Sequence, residues 1–357
     1  MSSAHVSSAQ IDAIFAALKS NTPPGAAVLV MHNGRPVFRR GYGVTDLRTL
    51  RPIDEHTNFR LASFTKQFTA AAIMLLARDG KLRYDDHLTE FFPEFPAYGK
   101  SITVRNLLNH TSGLRDYEEL LMKQYPDNPP EKVPQIHDSG VLQLLEQQIS
   151  GMFAAGSQWE YSNSGYAVLA MIVEKVSGTS FGDFLHERIF TPLKMKNTLA
   201  YENGKNKVPH RAYGYSRNNE NNKDDWQETD QSPTSAVLGD GGIYSSLDDL
   251  AKWDRALREH TLLSAEEMRP ALTPVQPTGG PSKFADRPVV SYGFGWFLDP
   301  YKGHHRMFHD GSTIGFRTTI QRFPDDQLTV IVLANRVDVD PEALALKVAD
   351  LYLGTMQ

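Results

Sequence analysis

Apolar residues recur at Ile11, Ile14, Phe15 and Leu18, the i, i+3, i+4, i+7 spacing of one helix face, and stop at Asn21-Thr22-Pro23-Pro24-Gly25. This pattern predicts a helix over 9–19. The continuous apolar run 26–31 predicts a buried strand. Asn33-Gly34 is a strong hairpin signal, so 35–42 reads as the returning strand, with Pro36 tolerated at its start. From Phe64 the pattern turns helical, with good helix formers, no proline and a stop at Asp79-Gly80. Apolar residues cover most of its circumference, which predicts a buried core helix.

Beyond Gly80 the pattern changes. The sequence predicts a short helix over 103–108, closed by Asn109-His110-Thr111-Ser112-Gly113-Leu114, then a polar surface excursion or lid marked by Pro126, Pro129, Pro130 and Pro134. Helices follow over 141–148 and 165–176, the second ending at Ser177-Gly178. The polar stretch 202–235 reads as a solvated loop, with a mobile lid as the alternative. Gly239-Asp240-Gly241-Gly242 is a permissive turn feeding a helix capped at Ser246, with Leu250, Trp253 and Leu257 on its apolar face. Strands return over 291–298, 306–309, 317–323 and 328–334, with a turn at Pro324-Asp325-Asp326, and a last helix covers 341–353. Strands at both ends with helices between predict one sheet built from both termini. The expected division is an α/β subdomain from 1–80 and 236–357 and a mostly helical subdomain with lid loops over 81–235.

Composition narrows the function. The 357 residues are 40 % hydrophobic and 22 % charged, which suits a soluble globular chain with a sizeable core. A formal charge of -5 argues against a nucleic-acid partner. No window approaches the 18 apolar residues of a membrane span, and Met1-Ser2-Ser3-Ala4-His5 does not begin a signal peptide, so a cytoplasmic location is expected unless a leader has been trimmed. With no cysteine, disulfides, thiolate metal sites and cysteine nucleophiles are excluded.

Three short constellations carry candidate chemistry. Ser63 and Lys66 are three apart, which puts hydroxyl and amine on one helix face. A buried lysine loses part of its basicity and becomes able to accept a proton, while the helix N-terminus favours charge developing on the serine oxygen. The bland alternative is an N-capping Ser63 and a snorkelling Lys66. Trp159-Glu160-Tyr161-Ser162-Asn163 precedes the next helix; Tyr161 offers a phenol that a nearby ammonium can hold as phenolate or make easy to ionise, and Asn163 an amide. Alone it would be a packed aromatic before an N-cap. The third is His309-Asp310-Gly311-Ser312 on a predicted strand, where Gly311 would let substrate lie close and the next N–H would join that of Ser63 in an oxyanion hole.

Together, Ser63-x-x-Lys66, Tyr161-Ser162-Asn163 and His309-Asp310-Gly311 resemble, in order and spacing, the motifs of the serine β-lactamase and penicillin-binding-protein superfamily, and Tyr-x-Asn is similar to its class C and esterase branch. The stretches 107–114, 161–178, 241–246 and 292–296 extend the likeness. The resemblance implies an antiparallel sheet flanked by helices beside a helical subdomain, with the serine between them. It implies that Ser63 is the nucleophile, that Lys66 and Tyr161 move its proton, and that Asn163, His309, Gly311 and Ser312 contact substrate. No cofactor is implied. The chain departs from the pattern at His309, where many β-lactamases and DD-peptidases carry a lysine; a mostly neutral histidine, with Asp310 beside it, disfavours a substrate carboxylate. Arg317 is expected to face solvent rather than supply that charge.

These readings predict a serine hydrolase of small carboxylic esters with weak β-lactamase activity. The alternatives are a β-lactamase, a D-amino-acid peptidase or amidase, or an acyltransferase, and, from a different class, a non-catalytic sensor. A metal enzyme is disfavoured because His304, His305 and His309 lie on a turn and strand and no H-E-x-x-H is present. An α/β-hydrolase is disfavoured because Gly311-Ser312-Thr313-Ile314-Gly315 lacks the G-x-S-x-G spacing.

Overall fold

The computed structural model describes residues 6–217, 225–280 and 291–354. Its centre is a five-stranded antiparallel sheet in the order Arg35–Tyr42, Ala26–His32, Leu328–Ala334, Phe316–Phe323 and Met307–Thr313. The first strand pairs with the last from Ala26↔Ala334 to His32↔Leu328, so residues far apart in sequence share the middle of the sheet.

The unbroken apolar run at 26–31 follows from this position. Successive side chains alternate between faces, and both faces are covered. Ala27, Leu29 and Met31 enter the main core with Ile331 and Leu333. Ala26, Val28 and Val30 enter a second core with Val330 and Val332, closed by Ile11 and Phe15 from the N-terminal helical segment and Ala345 and Val348 from the Pro341–Asp350 helix.

The Lys66–Arg78 helix runs through the main core, buried from Lys66 to Leu76. A 3-10 turn, Ala62–Thr65, delivers the chain to it, so Ser63 lies on that turn rather than on the helix proper. Against it pack the Asn163–Ser177 helix, capped by the Ser162 hydroxyl and closed by Gly178, and the Leu247–Glu259 helix, capped by Ser246. Phe68 and Trp253, with ring centroids 4.5 Å apart, join the first and last of these.

Several expectations need correction. The stretch 291–298 is not a strand; Tyr292 and Phe297 form only isolated bridges, because Gly295 turns the chain with φ 75. The strand expected at 306–309 runs on to Thr313. The proline-marked region contains the Tyr117–Gln124 helix, capped by Asp116, with Tyr117 buried. The polar stretch 202–235 is largely anchored: Tyr215–Arg217 pairs with Trp226–Glu228, and Arg211 forms an ion pair with Asp230. Asn218 to Asp224, at the centre of that stretch, lie outside the described residues, as do Met1 to His5. Among the described residues no helix is long and apolar enough to cross a membrane.

A buried ion pair ties the Leu247–Glu259 helix to the sheet. Asp254 accepts hydrogen bonds from Arg322 Nε at 2.8 Å and Thr329 Oγ1 at 2.7 Å. Removing one partner of such a pair leaves the other charge buried alone. Asp254→Leu should therefore lower unfolding free energy by about 3–5 kcal/mol in urea titrations; an unchanged midpoint would contradict this account of the helix–sheet contact.

Candidate active site

The candidate residues converge on a cleft of about 320 Å³ whose walls include Ser63, Asn163, Glu118, Asp240 and Ser312. Lys66 sits behind Ser63 and is fully buried. Its Nζ donates to Ser63 Oγ at 3.0 Å, Asn163 Oδ1 at 2.8 Å and the Asp240 carbonyl oxygen at 3.0 Å. All three acceptor atoms are uncharged. Burial therefore brings the amine down to about 8, against the opposing pull of the nearby Asp240 and Glu118 carboxylates.

Tyr161 packs over this amine, its ring centroid 4.8 Å from Lys66 Nζ. Burial holds its phenol well above the ordinary tyrosine value, with the Ser63 hydroxyl beside it pulling the other way. Desolvation thus favours the protonated phenol at rest, one of the two forms the sequence leaves open. The resting pair is a protonated phenol beside an amine of lowered basicity.

The third constellation enters differently from its expected role. His309 is 1 % exposed and is not among the cleft's lining residues. Its Nδ1 lies 2.7 Å from the Asp310 carbonyl oxygen and its Nε2 3.2 Å from the Tyr292 hydroxyl, within an aromatic group that includes Phe297. Gly311 does not line the cleft either. A Cβ there would fall 2.1 Å from the Leu61 carbonyl oxygen and 2.2 Å from Thr318 Oγ1, so glycine lets the strand lie against the segment carrying Ser63. Ser312 and Thr313 form that wall of the cleft. Arg317 does not face solvent freely; it is half-buried and donates to the carbonyl oxygens of Thr313 and Phe316 at 2.6 and 2.8 Å.

Four charged residues around the cleft went unassigned in the sequence. Arg60, 3 % exposed, donates to the Ser235 carbonyl oxygen at 2.8 Å. Asp240 accepts from the Tyr117 hydroxyl at 2.8 Å, and burial raises its carboxyl. Asp138 accepts from the backbone N–H groups of Leu238 and Gly239 at 2.8 and 2.9 Å, holding the turn whose Asp240 carbonyl meets Lys66; burial pushes its carboxyl up to about 7. Glu118 is exposed at the mouth, and desolvation, with Asp240 and Asp116 nearby, pushes it up to about 7. Asp240 was visible only as part of a glycine-rich turn, and Glu118 followed a motif with no assigned chemistry; no sequence signal marked Asp138 or Arg60. Among the described residues no three His, Cys, Asp or Glu side chains gather to hold a metal ion.

The geometry agrees with the comparisons to known proteins. The Beta-lactamase family model matches residues 11–353. The chain belongs to this family of serine hydrolases. It is 33 % identical over 353 residues to "Penicillin-binding protein 4*" of Bacillus subtilis, covering 96 % of this chain and 75 % of that protein. It is 28 % identical over 337 residues to the "D-aminopeptidase" of Brucella ovis, covering 93 % of this chain but only 60 % of that longer protein. The octameric penicillin-binding protein homologue from Pyrococcus abyssi superposes with a TM-score of 0.78 at 26 % identity, covering 96 % of this chain and 76 % of that one. The D-amino acid amidase from Ochrobactrum anthropi, with a TM-score of 0.80, 24 % identity and coverage of 96 % and 97 %, shares the fold. The antiparallel sheet flanked by helices is thus the β-lactamase and transpeptidase fold.

The Gly311 contact yields a direct test. Gly311→Ala pushes a methyl group into a backbone carbonyl that a rotamer change cannot move, and should cost about 1–3 kcal/mol by chemical denaturation. Unchanged stability would show that the strand does not lie as close to Leu61 as described.

Proposed function

We propose that the protein hydrolyses small carboxylic esters and amides through an acyl-enzyme on Ser63. The observation carrying this reading is the contact of Ser63 Oγ with the amine of a fully buried Lys66 at 3.0 Å. Unprotonated Lys66 takes the hydroxyl proton as Oγ attacks the carbonyl carbon. The oxyanion of the tetrahedral intermediate is held by the N–H groups of Ser63 and Ser312. As the intermediate collapses, Tyr161 gives its phenolic proton to the departing alcohol or amine and is reprotonated from the Lys66 ammonium. Water then attacks the acyl group, losing its proton to the same pair, and Ser63 leaves with a proton restored. Asn163 keeps Lys66 directed at Ser63 throughout.

The charge at the mouth favours one class of substrate. Of Lys66, Arg60, Asp240 and Glu118, only Glu118 is exposed to an incoming molecule. A carboxylate at that position attracts an ammonium and repels a carboxylate. Within the general reading, amides of amino acids with a free α-amine therefore fit better than carboxylate-bearing β-lactams, and the relatives named D-aminopeptidase support this direction.

Steady-state hydrolysis of p-nitrophenyl acetate, D-alanine p-nitroanilide and nitrocefin should show the first two turned over and nitrocefin slow. All activity should be lost in a folded Ser63→Ala variant; activity retained there would remove Ser63 as nucleophile. Glu118→Gln should raise KM for the free-amine anilide by roughly tenfold or more, the scale of a hydrogen bond to a charged group, and change KM for p-nitrophenyl acetate by much less. Because Glu118 titrates at about 7, its carboxylate is present above that pH, and the preference for the amine should fade as pH falls through it. Equal effects on both substrates would assign Glu118 no part in selecting the amine.

A further inference from the structure

We infer that His110 is a positioning residue that sets the loop carrying Tyr161 and Asn163, an inference that rests on the acyl-enzyme reading above. His110 is completely buried, and it is fastened to that loop at two points. Its carbonyl oxygen accepts from the backbone N–H of Glu160 at 2.9 Å, and its ring Nδ1 accepts from the backbone N–H of Ser162 at 3.1 Å. The two contacts bracket Tyr161. The imidazole centroid also lies 4.4 Å from the Tyr161 ring and 4.5 Å from that of Tyr292. Ser162 in turn caps the following helix, its Oγ accepting from Gly165 N at 3.0 Å. Asn163, the next residue, accepts from Lys66. One residue, through its carbonyl and its ring, thus fixes the phenol and, through Ser162, the amide that faces the amine.

The backbone supports the same reading. His110 has φ 63, a left-handed conformation that costs a side-chain-bearing residue free energy unless its surroundings hold it there. That turn directs the carbonyl and the ring at the same loop. For Nδ1 to accept a hydrogen bond it must carry no proton, so the ring is the Nε2–H tautomer. Burial first, with any positive charge on neighbouring Lys66 or His309 acting in the same direction, holds the ring well below the ordinary histidine range. Protonation would place a second donor against the Ser162 N–H and break the contact.

Two substitutions separate positioning from packing. His110→Gly keeps the backbone conformation and the Glu160 contact but removes the ring acceptor. Its kcat on p-nitrophenyl acetate should fall by roughly 10²-fold, the scale for a misplaced catalytic group, with KM changed less than about threefold. His110→Asn tolerates the left-handed backbone and places its side-chain oxygen where Nδ1 stood. It should recover at least about tenfold of the lost kcat. An Asn variant no better than Gly, a loss confined to KM, or an unchanged kcat in folded His110→Gly would overturn the inference. Nitrogen-15 NMR of the wild-type imidazole gives a readout that needs neither a folded variant nor turnover. A neutral Nε2–H ring is expected, and an Nδ1–H or doubly protonated ring would overturn the assignment. If Ser63→Ala proved fully active while the ring showed the expected tautomer, the acyl-enzyme reading would fail and the His110–loop contact would stand.

Discussion

An amine held wholly out of water, with only uncharged atoms as hydrogen-bond partners, is the constraint on which the site depends. An ammonium in that position lacks the full compensation that water or a direct carboxylate partner would supply, so the protein favours the neutral form more than solvent does. The nearby Asp240 and Glu118 carboxylates oppose this, but burial dominates. The energy of folding that buries the Lys66–Arg78 helix therefore also makes Lys66 a base. Its three contacts come from three parts of the chain: the turn at Ser63, the start of the Asn163 helix and the Asp240 carbonyl. The amine is thus both a chemical group and a joint between elements.

The same economy runs through the surrounding shell. Gly311 is required by the approach of its strand to Leu61, and that approach brings Ser312 to the cleft beside Ser63. Asp138 holds the turn that offers Asp240's carbonyl to Lys66. Thr318 reinforces the strand contact, its hydroxyl donating to the Leu61 carbonyl oxygen at 2.7 Å. Groups that touch the reacting atoms are few, and groups that hold them are many, which is how a site maintains a geometry that a small displacement would spoil.

Much of this was legible in the sequence, for identifiable reasons. The central strand pair shows as unbroken apolar runs because both of its faces are covered, and the buried helix shows as a nearly all-round apolar segment carrying one lysine. Ser63, Lys66, Tyr161 and Asn163 stand out because their spacing recurs in a known family. The details that were not legible share a cause: short motifs state which residues occur, not which way they face. His309 packs in an aromatic cluster and Gly311 lies against the Leu61 carbonyl, contacts that a short motif does not report. The resting form of Tyr161 stayed open because burial, which sequence does not report, bears on its protonation. The stretch after Leu114 was read as a surface excursion or lid, and 202–235 as a solvated loop or lid, because they are polar, but Tyr117 finds its partner in Asp240, 123 residues away, and Arg211 in Asp230, 19 residues away.

Burial, on this view of the site, makes Lys66 a base. Carbon-13 and nitrogen-15 NMR titration of the lysine side chains, with Lys66 assigned from a Lys66→Arg variant, measures this without substrate. One lysine should titrate near 8, well below the exposed ones. A Lys66 that stays an ammonium to pH 10 and beyond would contradict it, and the proton acceptor for Ser63 would then have to be sought elsewhere in the cleft.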